Sequence, residues 1–268
     1  MRLFSFFVLF VLLVLVSVGL FGQAGTGTIT GTVMDPSGAV VSGAAVEAKN
    51  TQTGIVYPGV STDTGNYTVA QLPPGTYEVS VTFSGFKKYV HSNLVVQAAQ
   101  VVREDPKLEV GATGESVVVT AEVSLLKTET GDVAHNITAD NLRDLPILGI
   151  GGANSGSSGV RNPYNMAALI PGVDYAANTT MVVNGAPGNT QSMRIEGQNM
   201  TNHFVNFALQ EFQPSADAIQ EVAIQTSNYA PEYGTAGGGL FNITMKSGTN
   251  QFHGTGYDYF VNEDLNAA

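Results

Sequence analysis

The chain contains no cysteine, which excludes disulfide frameworks, thiolate zinc sites and thiol nucleophiles alike. Charge is scarce, at 12% of residues, and positive charge scarcer, with 11 Lys plus Arg against 22 Asp plus Glu. The net charge of −11 repels phosphate backbones and anionic headgroups, so no nucleic acid is expected as a partner. Long apolar runs are missing beyond the first residues, which excludes a helical multi-span protein and leaves a β-barrel untested by hydropathy. The catalytic signatures are missing too. His91, His135, His203 and His253 are scattered, and none has a ligand partner four residues on. There is no His-Glu-x-x-His, nucleophile elbow or Walker loop. In "GIGGANSGSSG", Asn154 stands where a third glycine would follow Gly149 and Gly151, so a phosphate-cradling reading fails. Asp63 and Asn66 fit a turn better than a calcium loop, and Asp217 and Glu221 read as solvated acids. No enzyme, cofactor or metal is expected.

What is present is glycine, 31 residues of it, among abundant Thr, Ser, Asn and Val, the balance of a β-rich, turn-rich exported protein. "MRLFSFFVLFVLLVLVSVGLFGQA" has Arg2, an apolar run from Leu3 to Phe21, and small residues at Gly22 and Ala24, the order of a secretory signal over residues 1–24. The run is also long enough for an uncleaved membrane anchor.

From Thr28 the text turns into short alternating segments punctuated by Asp35-Pro36-Ser37-Gly38, Asp63 to Asn66, Pro73-Pro74-Gly75 and Ser84-Gly85. Tyr77, Val79, Val81 and Phe83 fall on one face of a strand and are expected in the core. About seven strands at this spacing predict an antiparallel β-sandwich over 25–110. Its "GTITGTVMDPSGAVVSGAAVEAKN" and "TDTGNYTVAQLPPGTYEVSVTFSGF" blocks resemble a carboxypeptidase regulatory-like domain, a prealbumin-like sandwich. The resemblance implies a non-catalytic accessory domain, grouped by fold with carbohydrate-binding sandwiches. Sugar binding would want exposed aromatics, for which Tyr57 and Tyr89 are the candidates; packing at strand edges is the competing reading.

The connector, 111–137, holds an isolated β-forming strip, "ESVVVTA". Such a strip either docks on a neighbouring sheet or offers its edge to a partner. It resembles a TonB box, which implies the energy-transducing protein TonB as a partner through Ser116, Val117, Val118, Val119, Thr120 and Ala121.

Beyond it, Thr138 is placed to cap a short helix, and "NPYNMAALIPGV" predicts another from Pro163 to Ile170, stopped by Pro171-Gly172. "TTMVVNGAPGNTQSMRIEGQNMTNHF" reads as two strands about an Asn-Gly-Ala-Pro-Gly turn. Ser215 is expected to cap a turn over Asp217 to Gln220, Glu221 to Thr226 to form a strand, Gly237 to Gly239 to allow close approach or positive φ, Leu240 to Met245 to form the next strand, and "KSGTNQFHG" a hairpin turn. In order, "LPILG", "NPYNMAALIPGV", "VNGAPGNTQSMRIEGQNMTN" and "PSADAIQEVAIQTSNYAPEYGTAGGGLFNITMKSGTNQFHG" resemble the plug domain of TonB-dependent outer-membrane receptors, over 138–254. Gly149 to Gly159 and Glu196 depart from that pattern.

The expected architecture is therefore mainly β with some α: the sandwich, then an α+β plug domain, then 255–268 as the start of a first barrel strand. By resemblance, the chain is the front part of an outer-membrane uptake receptor facing the periplasm, with the barrel absent from it. The barrel domain of the complete receptor, and a small-molecule, glycan or metal-chelate ligand, would be its other partners. The alternative is a secreted carbohydrate-binding or adhesive module.

Overall fold

A computed structural model describes residues 25–111, 116–119, 131, 133–144, 163–174, 181–188, 190–202, 207–208, 214–229, 233, 237–252, 254 and 256. The signal segment, the Gly149 to Gly159 insertion, Thr120, Ala121 and the barrel-strand segment from 257 lie outside the described residues.

The first module is built from β1 (Gly27–Thr32), β2 (Ala45–Asn50), β3 (Val56–Val60), β4 (Asn66–Leu72), β5 (Gly75–Thr82), β6 (Lys88–Val96) and β7 (Val101–Arg103), joined by β8 (Ser116–Val119). They form a three-stranded sheet, β4-β1-β7, and a five-stranded sheet, β3-β2-β5-β6-β8. The alternation works as the sequence requires: Val46 and Ala48 of β2, Tyr77, Val79 and Val81 of β5, and Ile29 and Leu72 of the other sheet fill one core, with Phe83 packed at its margin. Tyr77 meets Tyr57 edge-on at 6.1 Å between ring centroids.

The expectation of an antiparallel sandwich needs a correction. β7 runs parallel to β1 and β8 parallel to β6. The cause is a crossover: the chain leaves β6 in one sheet, enters β7 in the other, and returns to β8 beside β6, and such long connections permit parallel pairing where a hairpin cannot. β1 also approaches its neighbours unusually closely. A Cβ on Gly31 would fall 1.6 Å from the Glu104 carbonyl oxygen, so no larger residue fits there.

The second module centres on another five-stranded sheet, β13-β12-β17-β16-β9, from β9 (Val133–Thr138), β12 (Ser192–Ile195), β13 (Gln198–Asn199), β16 (Ile219–Ser227) and β17 (Leu240–Met245). Helix α1 (Ala139–Asp144) follows β9 directly, and the Thr138 hydroxyl accepts the Asn141 N–H at 3.4 Å, in keeping with the expected cap. The helical segment expected at Pro163 is a 3₁₀ helix over Pro163–Leu169. A second 3₁₀ turn, Ala216–Ala218, is capped by Ser215 and yields to strand at Ile219, two residues earlier than the sequence pattern indicates.

The two strands read around the Asn-Gly-Ala-Pro-Gly turn do not form a hairpin. β11 (Val182–Val183) pairs with β10 (Val173–Asp174), whereas β12 pairs in parallel with β17. The β12–β13 reversal instead uses Glu196 and Gly197, at φ 51° and 75°, the two positive-φ centres that a two-residue hairpin demands. The small pair β14 (Thr201–Asn202) and β15 (Phe207–Ala208) completes the described strands. Residues 246–252 form no hairpin among the described residues; they run back to the first module, where Asn250 donates through N and Nδ2 to the Gln52 and Thr53 carbonyls at 3.3 and 2.6 Å.

Candidate functional site

Within the connector, Ser116–Val119 form strand β8. Lys88 aligns with Ser116, Tyr89 with Val117, Val90 with Val118 and His91 with Val119. Of the two readings the sequence left open, docking on a neighbouring sheet is realised by Ser116 to Val119. No strand pairs with the outer edge of β8 among the described residues. Three consecutive β-branched valines make the extended conformation cheap, and their alternation places Val118, 60% exposed, on the solvent side with Ser116 while Val117 turns inward.

The strand beneath β8 is held by a buried polar knot. Tyr89 Oη donates to Glu104 Oε1 at 2.6 Å, His91 Nδ1 lies 2.9 Å from Glu104 Oε2, and Tyr67 Oη donates to the Glu104 carbonyl at 2.8 Å. Glu104 follows β7, so the knot ties the sheet that carries β8 to the sheet opposite. Burial raises the ionisation of Tyr89 well above the phenol range, helped by its hydrogen bond to Glu104, and raises Tyr67 further, with the Glu104 and Asp105 charges adding to the effect. The corollary concerns the sugar candidates. Tyr89 is 7% exposed and committed to Glu104, which corrects its reading as an exposed aromatic, and Tyr57 is half-buried against Tyr77. Neither ring is an open platform, because each sits on a strand face turned toward the core.

The second feature is the sheet of the second module, whose two faces differ. Val222, Ile224, Phe241, Ile243, Met193 and Ile137 share one face with α1 and the 3₁₀ helix as an apolar core. The opposite face carries Glu221, Gln225, Asn242, Thr244, Ser192, Arg194 and Asn136. Most of these are buried. Part of that face lies against the first module. Glu221 Oε2 accepts the Ala98 N–H at 3.1 Å, and Asn136 Nδ2 donates both to Glu221 Oε1 and to the Ala98 carbonyl. Gly25 packs on Asn242, where a Cβ would sit 1.7 Å from Nδ2. The reading of Glu221 as a solvated acid is thus corrected: it is 4% exposed and bridges the modules. Its alternation with Ala223 and Gln225 on a strand was the available signal, masked because that face is polar rather than apolar. Among the described residues Asn242 Oδ1, Thr244 Oγ1 and Ser192 Oγ find no hydrogen-bond partner, so among those residues this face is not fully satisfied.

The glycine turn before β17 behaves as the sequence requires. Gly239 has φ 119° and a Cβ there would meet the Gln225 carbonyl at 3.2 Å. Arg194, aligned with Asn242 of β17, stacks 5.1 Å from the Tyr233 ring centroid. Glu196 Oε1 accepts the Met245 N–H at 2.6 Å, tying the hairpin to the end of β17. No group of three or more His, Cys, Asp or Glu residues among the described residues could hold a metal ion.

A mostly β chain with an accessory sandwich at its front is the class these features define, and comparison with known proteins agrees. Residues 28–109 match the family model described as carboxypeptidase regulatory-like domain. The chain is similar to the TonB-dependent transporter Oar of Myxococcus xanthus, 27% identical over 253 residues, covering 90% of this chain and 23% of that protein. The chain thus spans about a quarter of the curated relative it matches. Among solved structures, the Bacillus anthracis TIE protein overlays 32% of this chain and 16% of its own at a TM-score of 0.28 and 20% identity. Hydroxyquinol 1,2-dioxygenase from Pseudomonas putida overlays 32% of this chain and 57% of its own at a TM-score of 0.26 and 10% identity. At these scores neither overlay bears on function.

Proposed function

We propose that this chain is the periplasm-facing part of a TonB-dependent outer-membrane uptake receptor, comprising an accessory sandwich, a TonB-pairing strand and a plug. The single observation that carries the reading is the extent of the similarity to the Myxococcus transporter, which runs through the sandwich, the connector and the second module rather than stopping at the sandwich. The roles then divide by geometry. The sandwich is a folded support without catalytic chemistry. Ser116 to Ala121 are the partner strand, recognised through backbone N–H and C=O groups, which is why its side chains need only favour extension and leave an edge accessible. The residues 138–254 are the plug, which blocks the barrel of the complete receptor until tension on the connector remodels it. A ligand of the small-molecule, glycan or metal-chelate class would be imported. The carbohydrate-binding alternative is disfavoured by the positions of Tyr57 and Tyr89.

Capture by the immobilised periplasmic domain of TonB tests this. The intact chain is retained and Val118→Pro is not, because proline removes a strand donor and fixes φ. Failure of both the intact chain and a free peptide of residues 113–124 to be retained would overturn the TonB reading.

A further inference from the structure

We infer that the sandwich presents β8 as a pre-ordered pairing edge, so that the partner adds as a sixth strand, in the order β3-β2-β5-β6-β8-partner, without β8 leaving β6. The inference rests on the TonB reading and goes beyond it, because it says in which state the strand is recognised. The geometry is a parallel ladder that satisfies the inner edge of β8 through four register pairs and leaves its outer edge facing no strand among the described residues.

The two ends of this sheet are treated differently. At one end β3 contains Pro58, which removes a donor, and Gly59, which weakens the strand, the usual means of blunting an edge. At the other end β8 reads Ser-Val-Val-Val, with no proline, charge or bulge, and with an exposed Val118. An edge this open and this β-prone is a template for another strand. Its occupant is an extended segment of a partner protein with basic flanks. The strand itself is uncharged; Glu115 and Glu122 flank it in sequence, Glu109 is paired with Lys87 at 3.5 Å, and Lys88 lies opposite Ser116, so the local charges nearly balance and the net charge of −11 makes a cationic approach favoured over an anionic one. A free connector would have to be ordered by the partner at the partner's expense. A docked one has already been ordered by β6, and pre-organisation of this kind raises affinity without adding a contact.

The absence of cysteine makes a direct test available. Val90 and Val118 are register partners on adjacent strands, at a spacing compatible with a disulfide, so Val90→Cys/Val118→Cys locks β8 onto β6 with no competing thiol. Affinity for the purified periplasmic domain of TonB is measured on the locked chain, on the same chain after reduction, and on a synthetic peptide of residues 113–124. Presentation predicts that the locked chain binds within ~3-fold of the reduced chain or more tightly, and that the intact chain binds on the order of 10-fold or more tightly than the peptide. A loss of ~10-fold or more on locking, restored by reductant, overturns the inference and shows that β8 must be released. Binding of the peptide without binding of the chain also overturns it while leaving the TonB reading intact. Binding of neither overturns both. If the first pair does not close, Lys88→Cys/Ser116→Cys, the adjacent register pair on the same face, gives the same comparison.

Discussion

Replacing Glu221 with alanine should loosen the first module from the second while leaving each folded. The carboxylate receives the Ala98 N–H on one oxygen, at 3.1 Å, and the Asn136 amide on the other. Removing it strands two buried donors in the space it vacates. A hydrogen bond to a charged acceptor contributes roughly 1.5–3 kcal/mol. If that contribution is what keeps the Ala98 amide closed, its hydrogen exchange should accelerate by about 10- to 100-fold. Amides of Tyr77, Val79 and Val81 lie in the sandwich core, away from the junction, and should exchange at wild-type rates. Glu221→Gln is an instructive second variant. It keeps the volume but turns one acceptor into a donor, so either Ala98 or Asn136 meets an N–H instead of an oxygen, and only a flip of the Asn136 amide, at the loss of its bond to the Ala98 carbonyl, relieves the conflict. Intermediate acceleration is therefore expected. An unchanged Ala98 rate in Glu221→Ala would refute the claim that this side chain joins the modules, and acceleration throughout the sandwich would show a role in global stability instead.

Gly31→Ala should destabilise the sandwich by about 3 kcal/mol or more, or abolish its folding, since the new methyl falls on the Glu104 carbonyl; an unaltered urea midpoint would contradict this. Tyrosine absorbance titration should show buried groups that ionise only at high pH: burial pushes Tyr77 up to about 12 and holds Tyr67 and Tyr89 higher still. The folded state then retains protons that the unfolded chain has lost, so stability is full below about pH 10 and falls as pH rises from about 10 toward 12, measurable as a declining urea midpoint. Amides of β9 should exchange faster than those of β16 and β17, because β9 is an edge strand that contributes one buried apolar side chain, Ile137, to the core, a burial of roughly 1.5–3 kcal/mol; equal protection across the sheet would argue against a detachable edge.

Much of this fold was legible because the local signals agree with one another. The turn chemistry at Asp35 to Gly38 and at Pro73 to Gly75 sits between strands whose alternation points Val46, Tyr77, Val79 and Val81 to one core, and β17 spans the same residues that alternation marks. What escaped was the pairing of distant segments. Nothing in the sequence of Val101–Arg103 says that it crosses to lie parallel to β1, nor does Ser192–Ile195 declare a parallel partner fifty residues on, because a strand's composition does not encode which edge it joins. The connector strip was legible in part: its β-propensity was plain and docking on a sheet was one of its two readings, but the identity of the edge, β6, was not. Glu221 was misread, and the choice between the two readings of Tyr89 stayed open, for one reason: burial of a polar atom depends on a partner supplied from elsewhere in the chain, Ala98 in one case and Glu104 in the other.

The connector links two edges. β8 closes one five-stranded sheet and β9, the next described strand along the chain, closes the other. An edge strand can depart without opening a sheet's interior, and α1 continues directly from β9. Other points of attachment among the described residues include the Glu221–Ala98–Asn136 bridge, the seat of Gly25 on Asn242, and the Asn250 bonds to the Gln52 and Thr53 carbonyls. Each is polar, and the sheet face they lie near already holds polar atoms without partners, so separation exchanges protein hydrogen bonds for water at small net cost. The sandwich is anchored within itself by the buried Glu104 knot, whereas its contacts with the second module, among the described residues named here, are polar and exchangeable with water.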